Sequence, residues 1–250
     1  MEWQDEGMLI AARRHGESAA IIELFTAAHG RHVGVVPGGG SRRMAAMLQP
    51  GTQLAVRWRA RLEDHIGTYR VEPIRIRAAL ILDDAEALAG LASACALLSW
   101  AMPERESHPA LYARSVDLMD AFADGNWQAR YALWELALLA ELGFGLDLSQ
   151  CALTGAREGL AYVSPRSGRA VSRGAAGDWA PRLFPLPGFL LRGEPDAAPG
   201  EIEAALHLTG HFLAGWLAPA LERPGLPEAR ARLVARLSSR RSDRAEDEHR

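Results

Sequence analysis

Residues 30–61 read GRHVGVVPGGGSRRMAAMLQPGTQLAVRWRAR, a string that predicts strand, turn, helix and strand in succession. Arg31–Pro37 is rich in valine and suits a strand. Three glycines follow, and Ser41 stands where a helix over Arg42–Leu48 needs an N-cap. Pro50-Gly51 breaks that helix. The closing segment, Gln53–Leu62, places Arg57, Arg59 and Arg61 on one parity and Val56, Trp58, Ala60 and Leu62 on the other. Side chains on a strand alternate faces, so the three guanidiniums share a side and the apolar set is expected to face a core. A solvated strand face would give the same alternation. The sharper expectation is contact with an anionic partner.

Outward from this stretch, residues 8–12 and 19–25 read as strands joined across RRHGES, and Gly67–Ile76 reads as a fifth strand. Its alternation slips at Glu72-Pro73, the mark of a bulge or strand end, because proline cannot donate to a ladder. Five short strands with a helix between the third and fourth is the order of an OB-fold, although other small barrels give similar strings. After Asp83 the period becomes helical. Helices are expected over Asp84–Met102, Ala110–Ala123, Trp127–Leu142, Glu201–Leu217 and Pro227–Leu237. The expected class is α+β and multidomain: a barrel over 1–80 and a helical domain over 81–237. An irregular insertion is expected at about 144–185, and a charged, disordered tail over 238–250.

The chain has 250 residues, of which 48% are hydrophobic and 24% charged, with a formal net charge of −3; this is a globular composition. The distribution is uneven. Residues 1–80 hold eleven arginines and eight acids, a balance of +3, which leaves −6 for the rest. The anion-binding part is therefore expected in the first third. There is no lysine, so all 28 basic residues are arginines, each a planar fork suited to bidentate phosphate contact. Cys95 and Cys151 are too few for a disulfide framework, and a reducing cytosol is expected. The start MEWQDEG lacks the basic opening of a signal peptide. No uncharged apolar run is long enough to span a membrane.

Short strings in a specific order carry a family resemblance. They are Trp3, Asp5 and Gly7; Gly16-Glu17-Ser18; Leu24-Phe25-Thr26 leading to Gly30-Arg31; Gly38–Arg43; Leu48-Gln49-Pro50; Trp58; and Glu72-Pro73. Further on come Tyr131, Glu135 and Leu139, then Leu142-Gly143-Phe144, Cys151–Gly155 and Tyr162–Gly168. With these the chain resembles the bacterial RecO family of recombination mediators. The resemblance implies an OB-fold joined to a helical domain, and a protein that is not an enzyme and has no cofactor. It also implies binding of single- and double-stranded DNA, annealing of complementary strands, and work with RecR and single-stranded-DNA-binding protein to load RecA. The setting would be the bacterial cytoplasm, at the nucleoid. The rival class is a protein adaptor that binds RecR and the tail of single-stranded-DNA-binding protein with little DNA contact. An OB-fold enzyme subunit is a third class, for which the sequence names no substrate.

On this basis the expected DNA-binding residues are Arg13, Arg14, Arg31, Arg42, Arg43, Arg57, Arg59, Arg61, Arg70, Arg75 and Arg77. Trp58, Tyr69 and Phe25 are expected in the core, so DNA contact should rest on charge more than on stacking and depend on salt. For the acidic tail of single-stranded-DNA-binding protein, the candidates are Arg114 and Arg130 beside Leu111 and Leu118. Many family members carry two Cys-x-x-Cys pairs suited to a structural zinc. Here Cys151 keeps one position, while Thr154, Ser172 and Ala175 fall at the others. No metal is expected, and packing around Trp179, Leu183 and Phe184 should hold the segment instead. His207 and His211 lie at i, i+4 without a third ligand and are expected to be ordinary helix histidines.

Overall fold

The computed structural model describes residues 1–62, 64–198 and 200–247. Five strands, β1 (Glu2–His15), β2 (Ala19–Thr26), β3 (Gly30–Val36), β4 (Gln53–Arg59) and β5 (Thr68–Arg75), form a closed barrel in the order β1-β2-β3-β5-β4. Helix α1 (Arg42–Met47) lies between β3 and β4, and the Ser41 hydroxyl caps it by accepting from the Met44 N–H at 3.3 Å. Gly38, at φ +73°, turns the chain out of β3 in a conformation that side-chain-bearing residues rarely adopt.

Strand β1 is long enough to serve twice. Its first half pairs with β4 and its second half with β2. Followed through the paired residues, the barrel leaves β1 at Arg13, passes Ile21, Val35, Thr68 and Arg59, and returns to β1 at Glu2. That displacement along one strand is the stagger that closing a small barrel requires. The extension back to Glu2 goes beyond the strand that the sequence predicts. It exists because Glu2 sits across from Arg59 and Gln4 across from Arg57, where opposite charge and hydrogen bonding favour pairing.

The barrel interior is filled from one parity of each strand: Leu9, Ala20, Ile22, Leu24, Val36, Leu54, Val56, Trp58 and Tyr69. Gly34 leaves room for Tyr69, since a Cβ there would lie 2.4 Å from the ring. β4 ends at Arg59, two residues before Arg61, so Leu62 is not core: it is 57% exposed. The other parity of β1 and β2 is also buried (Met8, Ile10, Ile21, Phe25). The covering elements are α2 (Ala85–Ala101), which packs on β1, and α3 (Pro109–Ala121), which packs on β2. Asp84 caps α2 by accepting from the Glu86 and Ala87 N–H groups. Barrel and helices together make one compact unit, Met1–Gly125 with Pro227–Leu233.

The second unit, Asn126–Leu226 with Val234–Arg250, contains α4 (Trp127–Glu141), a three-stranded sheet β7-β6-β8, and further helices. The strands are β6 (Leu160–Val163), β7 (Ala170–Ser172) and β8 (Phe184–Pro185); α5 (Arg173–Ala176) and α6 (Gly188–Arg192) are single turns. Helix α7 (Glu201–Phe212) packs on α4, passes into a π-turn over Leu213–Leu217, and is followed by α8 (Ala218–Ala220). At the α4–α7 contact Thr209 donates to the buried Glu135 carboxylate. The last helix, α9, spans Glu228–Asp247. The expected disordered tail from Ser238 is thus helical to Asp247, and residues 248–250 lie outside the described residues. No glycine or proline follows Pro227, and the alanines, arginines and glutamates there are favourable helix formers.

Packing of the insertion also differs from expectation. Trp179 is 62% exposed, with the Arg182 guanidinium 5.0 Å from its ring centroid. Cys151, Val171 and Ala176 form the small core instead, with Leu183 and Ala175 partly buried against it. Phe184 packs on His207, His211 and Phe212.

Candidate nucleic-acid interface

Covering the outer face of β1 and β2 with helices leaves exposed the outward residues of β4 from Arg57, of β5, and of the first half of β1. Across these strands the register lines up Gln4, Arg57 and Arg70 in one row and Glu2, Arg59 and Thr68 in the next. Arg57, Arg59 and Arg70 are all exposed. Two arginines directly opposite on neighbouring strands repel each other, a cost of some tenths of a kcal/mol that an anion between them would reverse. A shallow groove of about 340 Å³ lies at this pair, bordered by Gln4, Val71 and Glu72.

The face is not uniformly basic. Arg57 Nε lies 3.6 Å from the Glu2 carboxylate. The Gln4 side-chain oxygen, in the amide orientation that satisfies both groups, accepts from Arg57 Nη2 at 2.8 Å. These contacts hold the guanidinium over the groove. Sequence reasoning misses Glu2 and Gln4 as part of the site, yet the signal is present: Glu2, Gln4 and Glu6 alternate with Trp3, Asp5 and Gly7.

The other expected arginines separate into groups. Arg13 and Arg14 lie at the β1–β2 turn and Arg42 and Arg43 at the start of α1, all exposed. The glycine turn joins these two places, since Arg14 donates to the Gly40 carbonyl at 3.2 Å and the Gly40 N–H to the Ser18 carbonyl at 2.9 Å. Arg61 is exposed beyond the end of β4.

Two expectations are corrected, Arg77 and Arg31. Arg77 is buried: it bonds Asp120 and donates to the Gly51 carbonyl and Gln53 Oε1, both at 3.2 Å. Arg75 is ion-paired with the same Asp120 at 2.9 Å but stays exposed. Arg31 donates to the Met102 carbonyl at 2.8 Å and pairs with Glu23 at 3.3 Å. The register shift at Pro73 keeps Arg75 on the outward parity, opposite Gln53, whereas Arg77 lies beyond the end of β5 and turns inward. The partner-binding set is corrected too: Leu111 and Leu118 are buried core residues, whereas Arg114 and Arg130 are exposed.

Cys151, Thr154, Ser172 and Ala175, the four positions compared above with a zinc set, lie close together. The Ser172 N–H donates to Cys151 Sγ at 3.3 Å. Hydrogen bonds from the Ser172 side chain, then from Thr154 and the Ser172 backbone, lower the Cys151 thiol pKa to about 6, with burial opposing them. One sulfur surrounded by donors, with Ala175 at the fourth position, is not a tetrahedral donor set for zinc.

An OB-type barrel followed by a helical domain makes this an α+β protein. Two family models match it in sequence: "Recombination protein O N terminal" over residues 1–77 and "Recombination protein O C terminal" over residues 82–223. The chain belongs to the RecO family. It is 60% identical to the DNA repair protein RecO of Cereibacter sphaeroides (strain ATCC 17025 / ATH 2.4.3), covering 94% of this chain and 97% of the relative. It is 56% identical to that of Jannaschia sp. (strain CCS1), with 94% and 95% covered, and 54% identical to that of Ruegeria sp. (strain TM1040), with 96% and 100% covered. The family places the chain in DNA repair. No helix among the described residues is long and apolar enough to cross a membrane.

Proposed function

We propose that this chain is a recombination mediator that binds single- and double-stranded DNA on the open half of its barrel. It anneals complementary strands there and, with RecR, helps load RecA onto single strands coated by single-stranded-DNA-binding protein. The carrying observation is the facing pair Arg57–Arg70, with Arg59 beside it, all exposed on the outer face of β4 and β5. Such a row holds phosphates without reading bases. It lowers the repulsion between two backbones brought close, which leaves the bases free to pair. No bond is made or broken, so the role is not enzymatic and needs no cofactor. Arg13, Arg14, Arg42, Arg43 and Arg61 would extend the contact along the backbone. The place of action would be the bacterial cytoplasm, at the nucleoid.

A second reading has one observation in its favour. Glu2 and Gln4 already engage Arg57, which suits an adaptor that binds RecR and the acidic tail of single-stranded-DNA-binding protein but touches DNA little. Arg114 and Arg130 would be the cationic candidates for that tail. A titration of labelled single-stranded DNA against wild type and Arg57→Glu/Arg59→Glu/Arg70→Glu separates the two. For a single strand, the slope of log K against log salt becomes shallower by about 0.7 for each phosphate that the protein ceases to neutralise. The mediator reading expects weaker binding and a slope shallower by about 2. Wild-type affinity and slope in the triple variant, with RecR still co-purifying, would establish the adaptor instead.

A further inference from the structure

At the end of the barrel next to Arg59, a column of aromatic rings meets a cavity that the phosphate-binding reading does not use. Trp3 lies across from Trp58 on the β1–β4 pair, their ring centroids 5.6 Å apart and 22° from parallel. On the other side of Trp3, His29 stacks at 3.9 Å and 9°. Trp58 is fixed by its Nε1–H donating to the Ile66 carbonyl at 3.1 Å. His29 is held by Nδ1, 3.0 Å from the Asp5 carboxylate, and its side chain is 31% exposed. His32 closes the inner wall, edge-on to both tryptophans, with Nδ1 2.8 Å from Tyr69 Oη. The cavity measures about 400 Å³ and is lined by Glu2, Trp3, His29, His32, Trp58 and Arg105 among others.

We propose that this cavity takes one unpaired nucleobase of a single strand whose phosphates lie along Arg57, Arg59 and Arg70. The proposal rests on the DNA-binding reading above and adds to it a stacking site. The size fits a small-ligand pocket, and the lining suits a flat uncharged ring. His32 is neutral near pH 7, its pKa lowered to about 4 by burial and then by Arg105. Glu2 on the rim repels phosphate. Arg105 directs its charge to Glu104 at 3.7 Å and Asp64 at 3.9 Å, and donates to the His65 carbonyl. The charged part of a nucleotide is therefore disfavoured inside, while the arginines outside accept it. Trp3 sits between Glu2 and Gln4, which flank Arg59 and Arg57 across the strand pair. Trp3 points to the opposite face of β1, so a strand following those arginines reaches the cavity by turning over the Glu2 rim at the end of the barrel. A base turned inward would rest against His29 and continue the column as a fourth ring. Stacking of this kind tolerates every base, since each has a π-face.

The test compares an intact single-stranded oligonucleotide with one of equal length whose sugars carry no bases, at the same salt. Wild type should bind the intact strand roughly tenfold more tightly, and His29→Ala should bind both alike. A 2-aminopurine base in the intact strand should be quenched by wild type on binding, a readout that needs no variant. Equal affinity of wild type for both strands, with unquenched 2-aminopurine, would overturn the stacking site while leaving the phosphate-binding reading intact. Failure of wild type to bind either strand at low salt would overturn both.

Discussion

Two buried ionisable side chains in the barrel unit shape its stability. Arg77 sits among the DNA-binding arginines on sequence grounds, but its guanidinium is a structural tie between the Gly51–Gln53 segment and Asp120 on α3. Arg77→Met keeps the stem and strands those acceptors, so it should cost about 3 kcal/mol. A lowered urea midpoint with unchanged DNA affinity checks this; weakened DNA binding at full stability would return Arg77 to the interface. His32 supplies a pH dependence. Its folded pKa of about 4 lies below the ordinary 6.5, so the unfolded chain takes up the proton more readily. The contribution is complete above pH 6.5 and is lost as pH falls from 6.5 toward 4, an effect of about 3 kcal/mol. His32→Gln should flatten the stability curve over that window, measured by urea unfolding at successive pH values. A slope as steep as in the wild type would assign the acid sensitivity elsewhere.

Among the elements, β4 is legible in the sequence because Val56, Trp58, Arg57 and Arg59 alternate strictly. β1 is only half legible, because its acidic start looks like a solvated terminus until Arg57 and Arg59 are placed opposite it. Burial of Arg77 is not legible at all, since its acceptors come from 24 to 43 residues away in sequence. The same holds for His29, which lies in the β2–β3 turn and comes alongside Trp3 where the β1–β2 pairing, at Gly7–Thr26, carries that turn past the start of β1. In the β6–β7 segment the sequence names the departed cysteines but not what replaces them. There the hydroxyls of Thr154 and Ser172 face Cys151, while Cys95 in α2 is pushed up to about 12 by burial. Absorbance at 240 nm should therefore show one thiolate appearing around pH 6 and a second absent below pH 10. Thr154→Val/Ser172→Ala should move the first midpoint upward by about one unit. An unmoved midpoint would mean that the hydroxyls do not stabilise the thiolate.

At the scale of the molecule, the barrel and its covering helices are one unit in which the helices decide where the protein can meet DNA. Met8, Ile10, Ile21 and Phe25 face out of the barrel yet are buried. α2 lies on β1, and Tyr112 of α3 lies edge-on to Phe25 at 5.7 Å. Ser99 of α2 donates to Glu23 at 2.7 Å. Burying four such side chains is worth roughly 6 to 12 kcal/mol, comparable to the whole stability of a typical domain. A boundary drawn near residue 80, where strand periodicity gives way to helical, cuts through this packing. A fragment of residues 1–80 should therefore bind an apolar dye and lose cooperative urea unfolding, while the full chain does neither. Cooperative unfolding of that fragment at the full chain's midpoint would show that the barrel stands alone. The packing also constrains function: with Met8, Ile10, Ile21 and Phe25 committed to the helices, the exposed arginines of β4 and β5, with Arg13 and Arg14 at the end of β1, are left open to a nucleic acid.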